Sequence, residues 1–115
     1  MNISSVDIWT VVVPSLPGRV NSPEWVPETG WDQFSKHIIR LNTDTEFYGI
    51  GETGRGVPIE DVRRGAGLLL GRDPEQLTLQ NIYESRSDGS EEMLAVGEGP
   101  AYNALEIAVF DLVGR

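Results

Sequence analysis

The residues most open to a chemical reading lie near the middle of the chain, where Gly49-Ile50-Gly51-Glu52-Thr53-Gly54 spells a literal G-x-G-x-x-G. Between a strand and a helix such a run can hold a dinucleotide pyrophosphate, because glycines let backbone N–H groups approach the phosphates. Three features count against that chemistry here. The next helix is predicted to begin only near Pro58, Glu52 would set a carboxylate beside the pyrophosphate, and the preceding strand belongs to a hairpin. The acidic residue expected about 20 positions on would be Asp73, which reads as a helix cap. The simpler reading is a glycine-rich strand end that another backbone passes closely.

Other chemistry-bearing residues are sparse. His37 lies in a strand with no nucleophile in a recognisable arrangement, so a hydrogen-bonded structural or surface histidine outweighs a catalytic one. Glu60-Asp61 and Glu91-Glu92 are explained by a helix start and a loop, and neither forms an acid/base dyad. Asp111 sits among Ala108, Val109, Phe110 and Leu112, where a carboxylate needs a partner, and a structural hydrogen bond or ion pair is favoured over catalysis. Trp25 and Trp31 lie in a loop, where an aromatic lid over a ligand and an anchor to the domain's own core are equally good readings. Arg55, between Gly54 and Gly56, is placed for anion contact or for plain solvation. With no cysteine and one histidine, disulfides, thiolate zinc sites and multi-histidine metal centres are excluded. No catalytic residue and no metal ligand is assigned to this chain.

These residues must be positioned by one domain, since 115 residues suffice for a single core. A net charge of −9 opposes the approach of a polyanion, so nucleic acid is not expected as a partner. No run approaches the roughly 18 apolar residues of a membrane span, and Met1 to Val6 lacks the features of a signal peptide. A soluble, cytoplasmic protein is expected.

The pattern predicts an α+β fold, a three-stranded antiparallel β-meander followed by about three helices. Ile8 to Val13 reads as a strand covered on both faces, because both alternating sets are largely apolar. Leu16 to Gln33, broken by Pro17, Gly18, Pro23, Pro27 and Gly30, is a long loop of the kind that often serves as a lid or binding loop. Lys36 to Leu41 and the segment from Phe47 to Ile50, joined by Asn42-Thr43-Asp44-Thr45, form a hairpin. Pro58 opens a helix with Ile59, Val62, Ala66, Leu69 and Leu70 on one face, and Gly71 ends it. Asp73-Pro74-Glu75-Gln76 marks a second helix start, reaching through Ile82 and Tyr83. Ser85 to Gly97 reads as a loop.

The last helix opens at Gly99-Pro100 and closes at Gly114. Between Ala101 and Val113 only Asn103, Glu106 and Asp111 are polar, so it expects burial on most sides. Three strands and two modest helices cannot easily surround it. The chain is therefore expected to be incomplete, and to self-associate through this helix, with Val109 and Leu112 among the contact residues.

Several segments, in order, resemble the N-terminal domain of the mandelate racemase and muconate lactonizing branch of the enolase superfamily. Tyr48-Gly49-Ile50-Gly51-Glu52 is similar to that family's strand ending in G-x-G-E. Leu69-Leu70-Gly71-Arg72-Asp73-Pro74 is similar to its L-x-G-x-D-P helix end, and Ala104 to Arg115 to its A-x-x-x-A-x-x-D-x-x-G-K/R helix. Glu46 departs from the glycine often found in the hairpin turn. The resemblance covers nearly the whole of residues 1–115 and implies a capping domain whose loops close over the mouth of a C-terminal (β/α) barrel absent from this chain. It implies substrate contacts from Trp25 and Trp31 in the first loop and from Thr53 and Arg55 in the second. It also implies Mg²⁺ in the barrel, none in this chain, and a small carboxylic acid as substrate of the parent enzyme, which abstracts a proton alpha to a carboxylate. Dehydration of a sugar acid is preferred over racemisation or cycloisomerisation, since tryptophans suit a sugar face and Arg55 suits a carboxylate. The competing expectation, from a different class, is a stand-alone, self-associating interaction module without enzyme activity.

Overall fold

The computed structural model describes residues 1–14, 33–77 and 100–115. Strands β1 (Ile3–Pro14), β2 (Gln33–Thr43) and β3 (Tyr48–Glu52) form an antiparallel sheet in the order β1-β2-β3. Helix α1 (Ile59–Leu69), a 3-10 turn (Pro74–Leu77) and helix α2 (Pro100–Val113) follow. The expected meander and helical part are both present. The expected second helix is a single 3-10 turn among the described residues, in which the Asp73 carboxylate accepts the Glu75 N–H at 3.1 Å. Residues 78–83 of that expected helix, the Ser85 to Gly97 loop, and Trp25 and Trp31 lie outside the described residues.

Strand alternation sorts the sheet into two faces. Register places Val6, Leu41 and Gly49 in one row and Ile8, Ile39 and Gly51 in the next, on the face that meets the helices. The core beneath them joins Ile39 and Leu41 to Val62, Ala66 and Leu69 of α1 and to Ala104, Leu105, Ala108 and Leu112 of α2. The other face carries Trp9 opposite Ile38 and Ile38 opposite Glu52. One expectation fails here: β1 is not covered on both faces, because it is an edge strand whose Trp9, Val12 and Val13 are exposed. Its apolar alternation reflects β-propensity and surface left uncovered within the chain, which periodicity cannot distinguish from burial.

The seam between β3 and α2 sets how tightly the layers close. A Cβ built on Gly51 would overlap the Ala104 carbonyl oxygen and lie 3.1 Å from the Ala108 Cβ, and one on Gly49 would overlap the Ala108 carbonyl and lie 2.7 Å from the Leu112 Cβ. The glycines face Ala104, Ala108 and Leu112, spaced four apart along one stripe of α2. A helix backbone fills the space that a pyrophosphate would need, so the G-x-G-x-x-G serves packing. Asp111 pins the same seam: its Oδ2 accepts the Ile50 N–H at 2.9 Å and the Arg115 guanidinium at 3.1 Å. This is the structural partner expected for that carboxylate, and the two bonds hold its pKa below the ordinary value, the Ile50 N–H most strongly.

Shorter ties close the rest. The Thr43 hydroxyl donates to the Phe47 carbonyl at 2.7 Å and accepts the Thr45 N–H at 3.2 Å. Hydroxyl groups thus organise the hairpin turn, and no described non-glycine residue takes a positive φ, so Glu46 fits where a glycine was the usual expectation. Pro58 stands one position earlier than expected, as N-cap of α1 rather than its first residue. Helix α1 ends before Gly71 at φ +77°, a conformation glycine adopts without a Cβ clash. Gly71 N–H then donates to the Ile3 carbonyl and Ile3 N–H to the Arg72 carbonyl, both at 2.8 Å, stitching the helix end to the chain start. Leu70, expected on the buried face, is exposed instead because the helix has already turned away at this point.

Helix α2 buries Ala101, Tyr102, Ala104, Leu105, Ala108, Val109 and Leu112 against this domain. Val109 and Leu112 therefore belong to the chain's own core, which overturns their expected place in a contact between copies. The exposed stripe is Ile107, Phe110 and Val113.

Gly51→Ala is expected to destabilise the chain by about 2 kcal/mol or more, the cost of forcing a methyl against helix backbone, and denaturant unfolding measures it. Asp111 has a depressed folded pKa, so its contribution to stability is present above the unfolded value near 3.8 and is lost as pH falls through the folded pKa. Thermal unfolding across acid pH should show Asp111→Asn removing that component of the pH dependence.

Candidate functional site: two loops at one end of the sheet

Antiparallel pairing brings the end of β1, the start of β2 and the end of β3 to the same end of the sheet. Pro14 is opposite Gln33, and Glu52 is opposite Ile38. Pro14 and Gln33 flank the segment that carries Trp25 and Trp31, which lies outside the described residues, and the glycine loop starts directly after Glu52. Two segments distant in sequence are thereby rooted side by side.

His37 ties the glycine loop to the sheet. Its carbonyl accepts the Thr53 N–H at 2.9 Å and its own N–H donates to the Thr53 Oγ1 at 2.9 Å. Its ring Nε2 lies 2.8 Å from the Val57 carbonyl and its Nδ1 2.9 Å from the Thr10 hydroxyl. A carbonyl can only accept, so Nε2 carries a proton and donates to Val57, while Nδ1 shares a hydrogen bond with the Thr10 hydroxyl. Both ends of the segment 53–57 are thus fixed to one buried residue, while Gly54, Arg55 and Gly56 between them are exposed. Gly56 at φ +71° supplies the left-handed turn that brings the chain back to Val57.

Thr53, expected to face a ligand, is only 2% exposed, with its hydroxyl on the His37 N–H. It anchors the loop. Arg55 stands at the loop's exposed crest. His37, read from sequence as structural, has that character, but its organising role was not evident. The signal was its position at the strand register that faces residue 53, which becomes visible only once the β2/β3 pairing is known. Lys36 and Glu52 form an ion pair at the same end, on the opposite face.

Among the described residues no group of three or more His, Asp or Glu side chains could hold a metal ion. Three of their carboxylates are engaged elsewhere: Asp111 by Ile50 and Arg115, Asp7 by Asn42, and Glu52 by Lys36. These residues do not fit a Mg²⁺ site. A shallow groove of about 380 Å³ between β1 and α1, lined by Ser4, Val6, Ile8, Ala66 and Leu70, adjoins the start of β1 and therefore lies away from the two loops. Its one charged lining residue, Arg63, is paired with Glu60.

No protein-family model matches the sequence, and no curated protein does. Solved structures do match in fold. An enolase from Streptomyces coelicolor is 26% identical with a TM-score of 0.68, and the match covers 99% of this chain and 28% of that one. A mandelate racemase/muconate lactonizing protein from Herpetosiphon aurantiacus is 16% identical with a TM-score of 0.61, covering 97% of this chain and 30% of that one. L-Talarate dehydratase from Polaromonas sp. JS666, solved with Mg and L-glucarate, is 18% identical with a TM-score of 0.67, covering 97% and 31%. This chain thus spans less than a third of the length of each.

Thr53→Val keeps the shape but leaves the buried His37 N–H without an acceptor, which should destabilise the chain by about 1–3 kcal/mol. Hydrogen exchange is expected to rise first at residues 53–57, and denaturant unfolding gives the magnitude.

Proposed function

We propose that this chain, which has the fold of the N-terminal domain of enolase-superfamily enzymes of the mandelate racemase and muconate lactonizing type, is the substrate-selecting cap of such an enzyme. The observation that supports the reading is that Pro14 and Gln33, which flank the segment carrying Trp25 and Trp31, lie at the same end of the sheet as the glycine loop, which His37 and Thr53 hold. Loops so placed can close jointly over a ligand bound to another domain. Fixed ends and an exposed crest suit Arg55 to meet an anion, since a guanidinium pairs with a carboxylate through two parallel hydrogen bonds. In this reading Trp25 and Trp31 supply apolar faces, Thr53 positions the loop, and Arg55 contacts the substrate.

The reaction belongs to a barrel domain, which also holds Mg²⁺ and the acid/base groups. When bound, the metal stabilises the enolate formed as a proton leaves the carbon alpha to a carboxylate. This chain's share is to select the distal end of a small carboxylic acid and to exclude water. Within the superfamily's reactions, dehydration of a sugar acid is preferred, because stacking on indole and pairing with guanidinium together suit a polyhydroxy acid. Racemisation and cycloisomerisation are the other branches. The reading as a stand-alone interaction module is separated by the coding sequence after Arg115, where strands alternating with helices and a Lys-x-Lys pair at a strand end support the cap and an immediate stop opposes it.

Two measurements follow. The 115-residue chain alone is expected not to exchange the alpha proton of sugar acids in deuterated water, and exchange above background would reject the division of labour. In the enzyme that carries this cap, Arg55→Ala should raise KM by about tenfold with kcat changed little, as for an ion pair equally strong in ground and transition states. Unchanged kinetics would reassign Arg55 to the solvated surface.

A further inference from the structure

The glycines of the loop after β3 are not small because a neighbour demands it. A Cβ built on Gly54 or on Gly56 would meet no heavy atom within 4 Å. Gly56 is needed for its φ of +71°, whereas Gly54 takes no positive φ. Two glycines around Arg55 leave the backbone free to sample many conformations, so the placing of the guanidinium leans on how the two feet of the crest are held.

The feet differ in kind. At the first, the Thr53 N–H and hydroxyl pair with the His37 backbone, which strand register would provide for many residue types at position 37. At the second, register supplies nothing, because residue 57 is past the strand. What reaches its carbonyl is the His37 imidazole, with Nε2 at 2.8 Å from the oxygen. The Val57 side chain sits in the core, which fixes the depth of this foot but not the direction of its carbonyl. Val57 also directly precedes Pro58, the N-cap of α1, which makes no side-chain cap bond and has no N–H of its own. The imidazole thus orients the point where the loop ends and the helix begins. From behind, the Thr10 hydroxyl lies 2.9 Å from Nδ1, and a partner on that second nitrogen fixes the ring's orientation. His37 is 6% exposed, Thr53 2% and Val57 8%, so water competes poorly for these bonds and breaking them is costly.

We infer that His37 is a positioning residue for substrate recognition: its Nε2–H, through the Val57 carbonyl, sets the stance of the crest and so of Arg55. The inference rests on the capping role proposed above for Arg55, and it gives a strand residue outside both loops a share in substrate affinity. The chemistry required is one N–H donor at the Nε2 position. A glutamine places its amide nitrogen near that point, whereas an asparagine is one carbon shorter and extends only about as far as Nδ1.

Nuclear magnetic resonance on the 115-residue chain tests the bond without any variant. Correlating the ring nitrogens of His37 with its ring protons is expected to show Nε2 protonated, with a slowly exchanging N–H, and a ring protonated only at Nδ1 would overturn the inference. Amide order parameters at residues 54–56 should fall in His37→Asn, from the rigid range near about 0.85 towards about 0.6, and stay near wild type in His37→Gln. In the enzyme that carries this cap, His37→Asn should raise KM about three- to tenfold with kcat changed little, the weight of one buried hydrogen bond, and His37→Gln should restore most of the loss. Adding His37→Asn to Arg55→Ala should raise KM no further, as for two residues acting through one contact. A folded His37→Asn variant with an ordered crest overturns the inference, as does one whose KM effect adds in full to that of Arg55→Ala. If Arg55→Ala itself leaves the kinetics unchanged, the capping reading fails instead, and the order parameters alone decide whether His37 sets the crest.

Discussion

The close approach of α2 to β3 is the constraint on which the rest of the domain depends. Gly49 and Gly51 remove side chains from the strand, Ala104 and Ala108 keep them small on the helix, and Asp111 joins the two through the Ile50 N–H. Removing the glycines' clearance would lift the helix from the sheet. Leu105, Ala108 and Leu112 would then lose their place against Ile39, Leu41 and α1, and the core would open. Two sequence patterns, G-x-G-E on the strand and A-x-x-x-A-x-x-D on the helix, are the two sides of one contact.

From that seam the position of the glycine loop follows. Strand β3 is held against β2 on one edge and α2 on one face, so it delivers Thr53 beside His37. The histidine uses its backbone N–H and carbonyl and both ring nitrogens, leaving a three-residue crest pinned at both feet. A loop with fixed ends can present a long cation such as Arg55 with less ordering to be done on binding. The residues that flank the segment carrying Trp25 and Trp31, Pro14 and Gln33, lie at the same sheet end.

The surfaces divide unevenly. Inward, polar groups are few and engaged. Outward, the sheet keeps Trp9, Val13 and Ile50 exposed beside the Lys36–Glu52 pair and the Asp7–Asn42 hydrogen bond.

Local pattern in the sequence was enough for the meander, the two helices with their proline openings and glycine ends, the structural character of Asp111, and the packing role of the glycines. These follow from periodicity, backbone restriction and the need of a carboxylate for a partner, all of which act over a few residues. Tertiary structure decided what depends on distant segments meeting. Val109 and Leu112 turned inward because the sheet and α1 cover that side of α2, although its sequence is apolar nearly all round. Trp9 and Val13 remained outside because β1 is an edge strand with helices on one face only. Thr53 became an anchor because antiparallel register sets it against His37, sixteen residues earlier, and no local pattern records which residues a register will bring together.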